Sequence, residues 1–239
     1  MGKIGVEAKE AVTPLSRLLN DAEPAVRQSA ADALAEIGVG AEKAAPALAA
    51  MLRDPTLDVR SAASKALIQI GPAAKEAVPT ATALLDDPQW DVRRVAADAL
   101  GGIGHPAEKA IPALTHLLAD SDPAVRVAAA NALTSVSSKP EAALAAVVKL
   151  LHDPNPGVRA LTAELLGRIG PALAKQSIPA LKEAFSDGEY RVRLAAVRSV
   201  GQMGPAANDA FPAVAALLHD DIDDVRQEAL TAMVAIKGG

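Results

Sequence analysis

The chain of 239 residues has no cysteine, which excludes disulfides, thiolate zinc sites and cysteine nucleophiles. Its net charge of −5, from 24 basic and 29 acidic residues, runs against the basic footprint of a nucleic-acid binder. Half the residues are hydrophobic but only 2% are aromatic, so a core must come from Ala, Leu, Val and Ile, a composition suited to short, closely packed helices.

The first residues, 1–5, carry neither a signal peptide nor a myristoylation pattern, because position 6 is Val. They read as the tail of a second helix whose beginning is missing, which leaves a longer parent protein open. From there the chain is read as one solenoid of seven repeats of about 33 residues. The first, 6–38, holds Pro14, Asp21, Pro24, Val26-Arg27 and Ile37-Gly38. The second, 39–71, repeats the series as Pro46, Asp54, Val59-Arg60 and Ile70-Gly71. The third, 72–104, has Pro79, Asp87, Val92-Arg93 and Ile103-Gly104. The fourth, 105–137, has Pro112, Asp120, Pro123, Val125-Arg126 and the weaker ending Val136-Ser137. The fifth, 138–170, puts Ala145 in the place of the proline, then Asp153, Pro156, Val158-Arg159 and Ile169-Gly170. The sixth, 171–204, gains one residue before Pro179 and continues with Asp187, Val192-Arg193 and Met203-Gly204. The seventh, 205–239, has Pro212, Asp220 and Val225-Arg226.

Each repeat reads as two helices. In the third, 73–86 places Val78, Ala81, Leu84 and Leu85 on one face, and 90–103 does the same with Val92, Ala96, Ala99, Leu100 and Ile103. Pro24, Pro123 and Pro156 stand at the first turn of a second helix, and Asp122 and Asn155 precede it as caps. The glycines mark helix ends. Proline inside the first-helix pattern predicts a kink or a delayed start.

The Arg of every repeat lies at the positive end of a helix dipole, so its retention implies a fixed anion. The Asp six residues earlier supplies one, within its own repeat or the next. The pairs Asp21 and Arg27, Asp54 and Arg60, Asp87 and Arg93, Asp120 and Arg126, Asp153 and Arg159, Asp187 and Arg193, and Asp220 and Arg226 are read as a structural ladder.

These residues resemble the HEAT repeat family, in particular the HEAT-like repeats of phycobiliprotein (bilin) lyases. Asp-Pro, then Val-Arg, then Ala-Ala-x-Ala-Leu-x-x-Ile-Gly carry the resemblance, most clearly over 54–71 and 87–104. It implies an all-α, right-handed superhelix of antiparallel helix pairs, with second helices lining a concave face and the Asp and Arg forming an internal ladder.

No catalytic constellation is present in the sequence. The four histidines lack the spacing of a zinc helix or the His-Glu pairs of a HEAT-type iron hydroxylase. Gly101, Gly102 and Gly104 end a helix, whereas a phosphate cradle precedes one. No metal, cofactor or enzyme activity is expected. The second-helix stripe carries Asp32, Glu36, Lys65, Arg94, Asp98, Glu164, Arg168 and Arg198, balanced in sign and free of aromatics, which also speaks against a DNA glycosylase. Two binding surfaces are therefore weighed. One is the groove of Lys65, Arg94, Asp98, Asn131, Glu164, Arg168 and Arg198, suited to a peptide or protein. The other is the edge of Leu57, Trp90 and Tyr190, where aromatic anchors suit an interface. The expected role is a non-catalytic scaffold in the cytoplasm, away from membranes and nucleic acid, with a bilin-lyase-type subunit or chaperone and a structural spacer as alternatives.

Overall fold

The computed structural model describes residues 2–238, with side chains from Glu10 onward except at 171. No strand occurs among the described residues. The chain divides into two compact units, Met1–Ser138 and Lys139–Gly239.

In the first unit the first helices are α1 (Gly2–Leu18), α3 (Ala45–Met51), α5 (Val78–Ala83) and α7 (Ile111–His116). The second helices are α2 (Pro24–Ile37), α4 (Leu57–Ile70), α6 (Trp90–Ile103) and α8 (Pro123–Val136). Each second helix packs on its own first helix, and α2, α4, α6 and α8 pack on one another in succession. The second unit repeats the plan. Its first helices are α9 (Pro140–Val147), α11 (Ala174–Glu183) and α13 (Phe211–Ala216), and its second helices are α10 (Pro156–Ile169), α12 (Tyr190–Gln202) and α14 (Asp223–Lys237).

The first helices correct the single-helix reading of 73–86. A 3-10 stretch, Gly71–Ala77, comes first, α5 follows, and a 3-10 turn, Leu84–Asp86, closes it. Pro79 stands at the second position of α5, where no backbone donor is needed, so the α-helix starts late. Pro46, Pro112 and Pro212 act alike in α3, α7 and α13. Pro14 and Pro179, each nine residues past a glycine, instead lie inside α1 and α11. Residues 2–5 belong to α1, which runs unbroken through Gly5.

Second helices stop at glycines such as Gly71 and Gly104, whose φ of 63° and 73° are open to glycine at little cost. Ser137 ends α8 in extended geometry, φ −76° and ψ 127°, without such a turn. The core is aliphatic: Leu34, Leu67, Leu100 and Leu133 stand at one register position of the first unit, all at most 1% exposed. Small residues let successive second helices approach closely. A Cβ on Gly101 would lie 3.0 Å from Ala132 Cα, and one on Gly102 2.7 Å from Ile68 Cα. Buried hydroxyls join the same helices, Ser64 donating to the Val95 carbonyl at 3.0 Å.

Candidate functional site

The conserved register of Asp and Arg resolves into one geometry. Every Arg donates through Nη1 to the backbone carbonyl of the Asp in its own repeat, at 2.6–3.0 Å. Every one of those Asp side chains accepts the backbone N–H two residues on, at 2.8–2.9 Å, closing the turn before the second helix. At Asp54, Asp120, Asp187 and Asp220 the carboxylate also takes the Arg of the preceding repeat. Arg27 grips Asp54 through Nε and Nη2 at 2.7 and 3.0 Å, and Arg93 grips Asp120 at 2.7 and 2.8 Å. Arg159 with Asp187 and Arg193 with Asp220 show the same fork at 2.7 and 2.8 Å. A planar guanidinium matches a carboxylate in this way, and the pair ties one repeat to the next.

One rung departs from register. Asp87 is held by Arg53, with Nε at 2.9 Å, and not by Arg60. Arg60 pairs with Asp91 instead, and its buried Nε has no hydrogen-bond partner. Neither Arg53 nor Asp91 figures among the ladder residues read from sequence, although Arg53 is the one lysine or arginine directly before a ladder Asp. At the far end Arg226 pairs with Asp223 at 2.8 Å.

The rungs shift acidities. The Arg193 fork holds the Asp220 carboxyl at about 2, against its burial. Asp187 is lowered by Arg159. At Asp54 and Asp120 burial pushes upward, but the guanidinium and the turn N–H together bring both below the usual range.

The groove residues are partly spent on one another. Lys65 pairs with Asp32 at 3.1 Å across α2 and α4, and Arg94 with Asp98 at 3.0 Å along α6. Burial raises the Asp98 carboxyl despite Arg94. Asn131, half-buried on α8, continues this strip within the first unit. In the second unit Glu164 and Arg168 are exposed on α10, and Arg198 of α12 reaches Glu228 of α14 at 2.8 Å. The edge residues sit at the starts of second helices. Leu57 and Trp90 are 49% and 47% exposed, while Tyr190 is half-buried. Trp90 borders an open cavity of about 430 Å³. Among the described residues no cluster of three or more His, Asp or Glu could hold a metal ion. Among the described residues no helix is long and apolar enough to cross a membrane.

Profiles for HEAT repeats match residues 1–68, 53–134, 78–153 and 144–234. The chain belongs to the HEAT repeat family. No curated protein sequence matches it. Its HEAT repeats superpose on the complex of CpcE and CpcF of phycocyanin lyase from Nostoc sp. PCC7120, with 22% identity, 93% of each chain covered and a TM-score of 0.57. A designed armadillo repeat protein in complex with the peptide (KR)4 gives 22% identity, 80% of this chain and 98% of the other, and a TM-score of 0.54. An engineered protein gives 26% identity, 95% and 68% coverage, and a TM-score of 0.53. These HEAT repeats thus form an all-α solenoid of the armadillo-like kind, a scaffold fold.

Proposed function

We propose that the protein is a non-catalytic scaffold that holds a peptide or protein segment on its second-helix face. The observation that carries this reading is the strip across α2, α4, α6 and α8, where Asp32, Lys65, Asp98 and Asn131 recur at one register position. Its charges balance in pairs, Lys65 with Asp32 and Arg94 with Asp98. A neutral polar strip at regular spacing suits an extended chain, whose side chains and amides can bond to successive repeats. The same fold holds a peptide in the designed armadillo protein and stands in a two-protein complex in CpcE and CpcF. The non-catalytic part of the reading rests on the ladder, which commits the recurrent Asp and Arg side chains to structure.

The test compares two baits in a pull-down from source lysate: the wild type and an Arg94→Glu, Arg168→Glu, Arg198→Glu variant shown to be helical by circular dichroism. A protein retained by the first and lost by the second supports the second-helix face. Equal retention shows that these three arginines do not hold the partner and counts against the face they line.

A further inference from the structure

Trp90 and Tyr190 hold the same place in their repeats, three residues after Asp87 and Asp187, but the residues that follow them differ in sign. After Tyr190 comes Arg191. Its guanidinium carbon lies 5.8 Å from the Tyr190 ring centre, and its Nε donates to the phenol oxygen at 3.3 Å. The chain therefore supplies its own cation to that ring. After Trp90 comes Asp91, which Arg60 holds. Among the described residues no cation of the chain covers the indole.

The indole borders the 430 Å³ cavity with Pro88, Gln89 and Asp91 of its own turn and Ser121 and Asp122 of the next. Arg93 also reaches the cavity, but its donors are taken by the Asp120 carboxylate and the Asp87 carbonyl. Asp122 uses one oxygen to cap α8, accepting from the N–H groups of Ala124 and Val125, and forms no ion pair among the described residues. The surrounding edge is acidic. The turns 20–27, 53–60, 86–93 and 119–126 hold nine acidic and five basic residues, whereas 38–45, 71–78 and 104–111, at the other end of the helices, hold one acid and one Lys each. Such an edge draws cations towards it, and indole is the ring that holds a cation best.

We propose that the Trp90 cavity docks an arginine side chain from a basic segment of a partner protein, its guanidinium stacked on the indole and bonded to Asp122. The planar guanidinium suits both contacts, where a lysine ammonium would serve mainly the charge. The site is separate from the second-helix face and stands whether or not that face binds a partner.

The chain has a single tryptophan, so its emission reports the cavity directly. The probe is a short peptide alternating glycine and arginine, with lysine and glutamate versions beside it. The arginine peptide should change Trp90 emission saturably, the lysine peptide more weakly, and the glutamate peptide not at all. By calorimetry, Trp90→Leu should weaken the arginine peptide at least about threefold. That variant places at the site the residue of the second repeat, Leu57. Asp122→Asn should also weaken it, with the cap kept, since Asn155 caps α10 in the same way. Unchanged emission, or equal affinity in Trp90→Leu at matched salt, overturns the proposal and leaves only general attraction to an acidic surface. The second-helix triple variant should bind the peptide as the wild type does, and loss there would also overturn the edge site. The emission measurement needs no variant, so it decides even if one fails to fold.

Discussion

Arg60 reaches past Asp87 to pair with Asp91, and the guanidinium that takes Asp87 in its place belongs to Arg53. Arg53 is 61% exposed and Arg60 8%, so the better-shielded arginine holds the irregular rung. Deleting Arg53 frees Asp87 for the ordinary fork. Arg53→Ala should therefore change stability by less than about 0.5 kcal/mol. Asp91→Ala should cost about 2 kcal/mol in the wild type, since it strips a buried guanidinium of its carboxylate, and clearly less beside Arg53→Ala. A double-mutant cycle in urea measures the difference, and additive costs would show that Asp87 does not move over.

An ordinary rung behaves differently, because its carboxylate also builds the turn. Asp120 accepts two bonds from Arg93 and one from the Asp122 N–H. Asp120→Ala removes all three and should cost roughly 2–3 kcal/mol. Asp120→Asn keeps an oxygen for the turn and should cost about half as much. Equal losses in the two variants, read from urea midpoints, would mean that the ion pair and not the turn carries the effect.

The periodic part of this architecture was legible and the local part was not. The reading of 90–103 as one helix coincides with α6, because burial of Val92, Ala96, Leu100 and Ile103 follows one spacing that any helix must obey. The reading of 73–86 as one helix failed because its breaks depend on single residues: Pro79 sets where α5 starts, and Ala74 leaves helical geometry at ψ 20°. For the ladder, the residue types stand in the sequence but their partners do not. The distance from Arg27 to Asp54 spans 27 residues, and no local rule says whether an arginine takes its own or the next aspartate. The substitution of Arg53 for Arg60 depends on competition between two side chains, which periodicity does not record. The mutual pairing of Lys65 with Asp32 likewise appears only when α2 and α4 lie side by side.

Acid should loosen the ladder in a defined window. Asp54, Asp120, Asp187 and Asp220 are all lowered on folding, Asp220 to about 2. A carboxyl whose folded value lies below its unfolded value of about 3.9 stabilises fully above that value and loses this as the pH falls through the folded one. Thermal midpoints should hold from neutrality to about pH 5, then drop steadily towards pH 2. Asp98 runs the other way, since burial raises it: its ionised form costs stability at neutral pH, and Asp98→Asn should recover some. A drop complete above pH 5 would point away from the rungs.

Close approach of successive second helices makes the sharpest mutational contrast in the chain. A Cβ on Gly102 would stand 2.6 Å from Ile68 Cγ1 and 2.7 Å from Ile68 Cα, so a rotamer change at Ile68 relieves only the first clash. The second is with the backbone of α4, and the two helices must separate to accept it. Gly102→Ala should cost about 1–3 kcal/mol, despite the better helix propensity of alanine. Gly188, in a turn with nothing within 4 Å of its would-be Cβ, has no positive φ to protect. Gly188→Ala should be neutral or gain up to about 1 kcal/mol by stiffening the unfolded chain. Chemical denaturation of both variants checks the pair. A neutral Gly102→Ala would mean that α4 and α6 can part without loss, and that the small residues between second helices do not set their spacing.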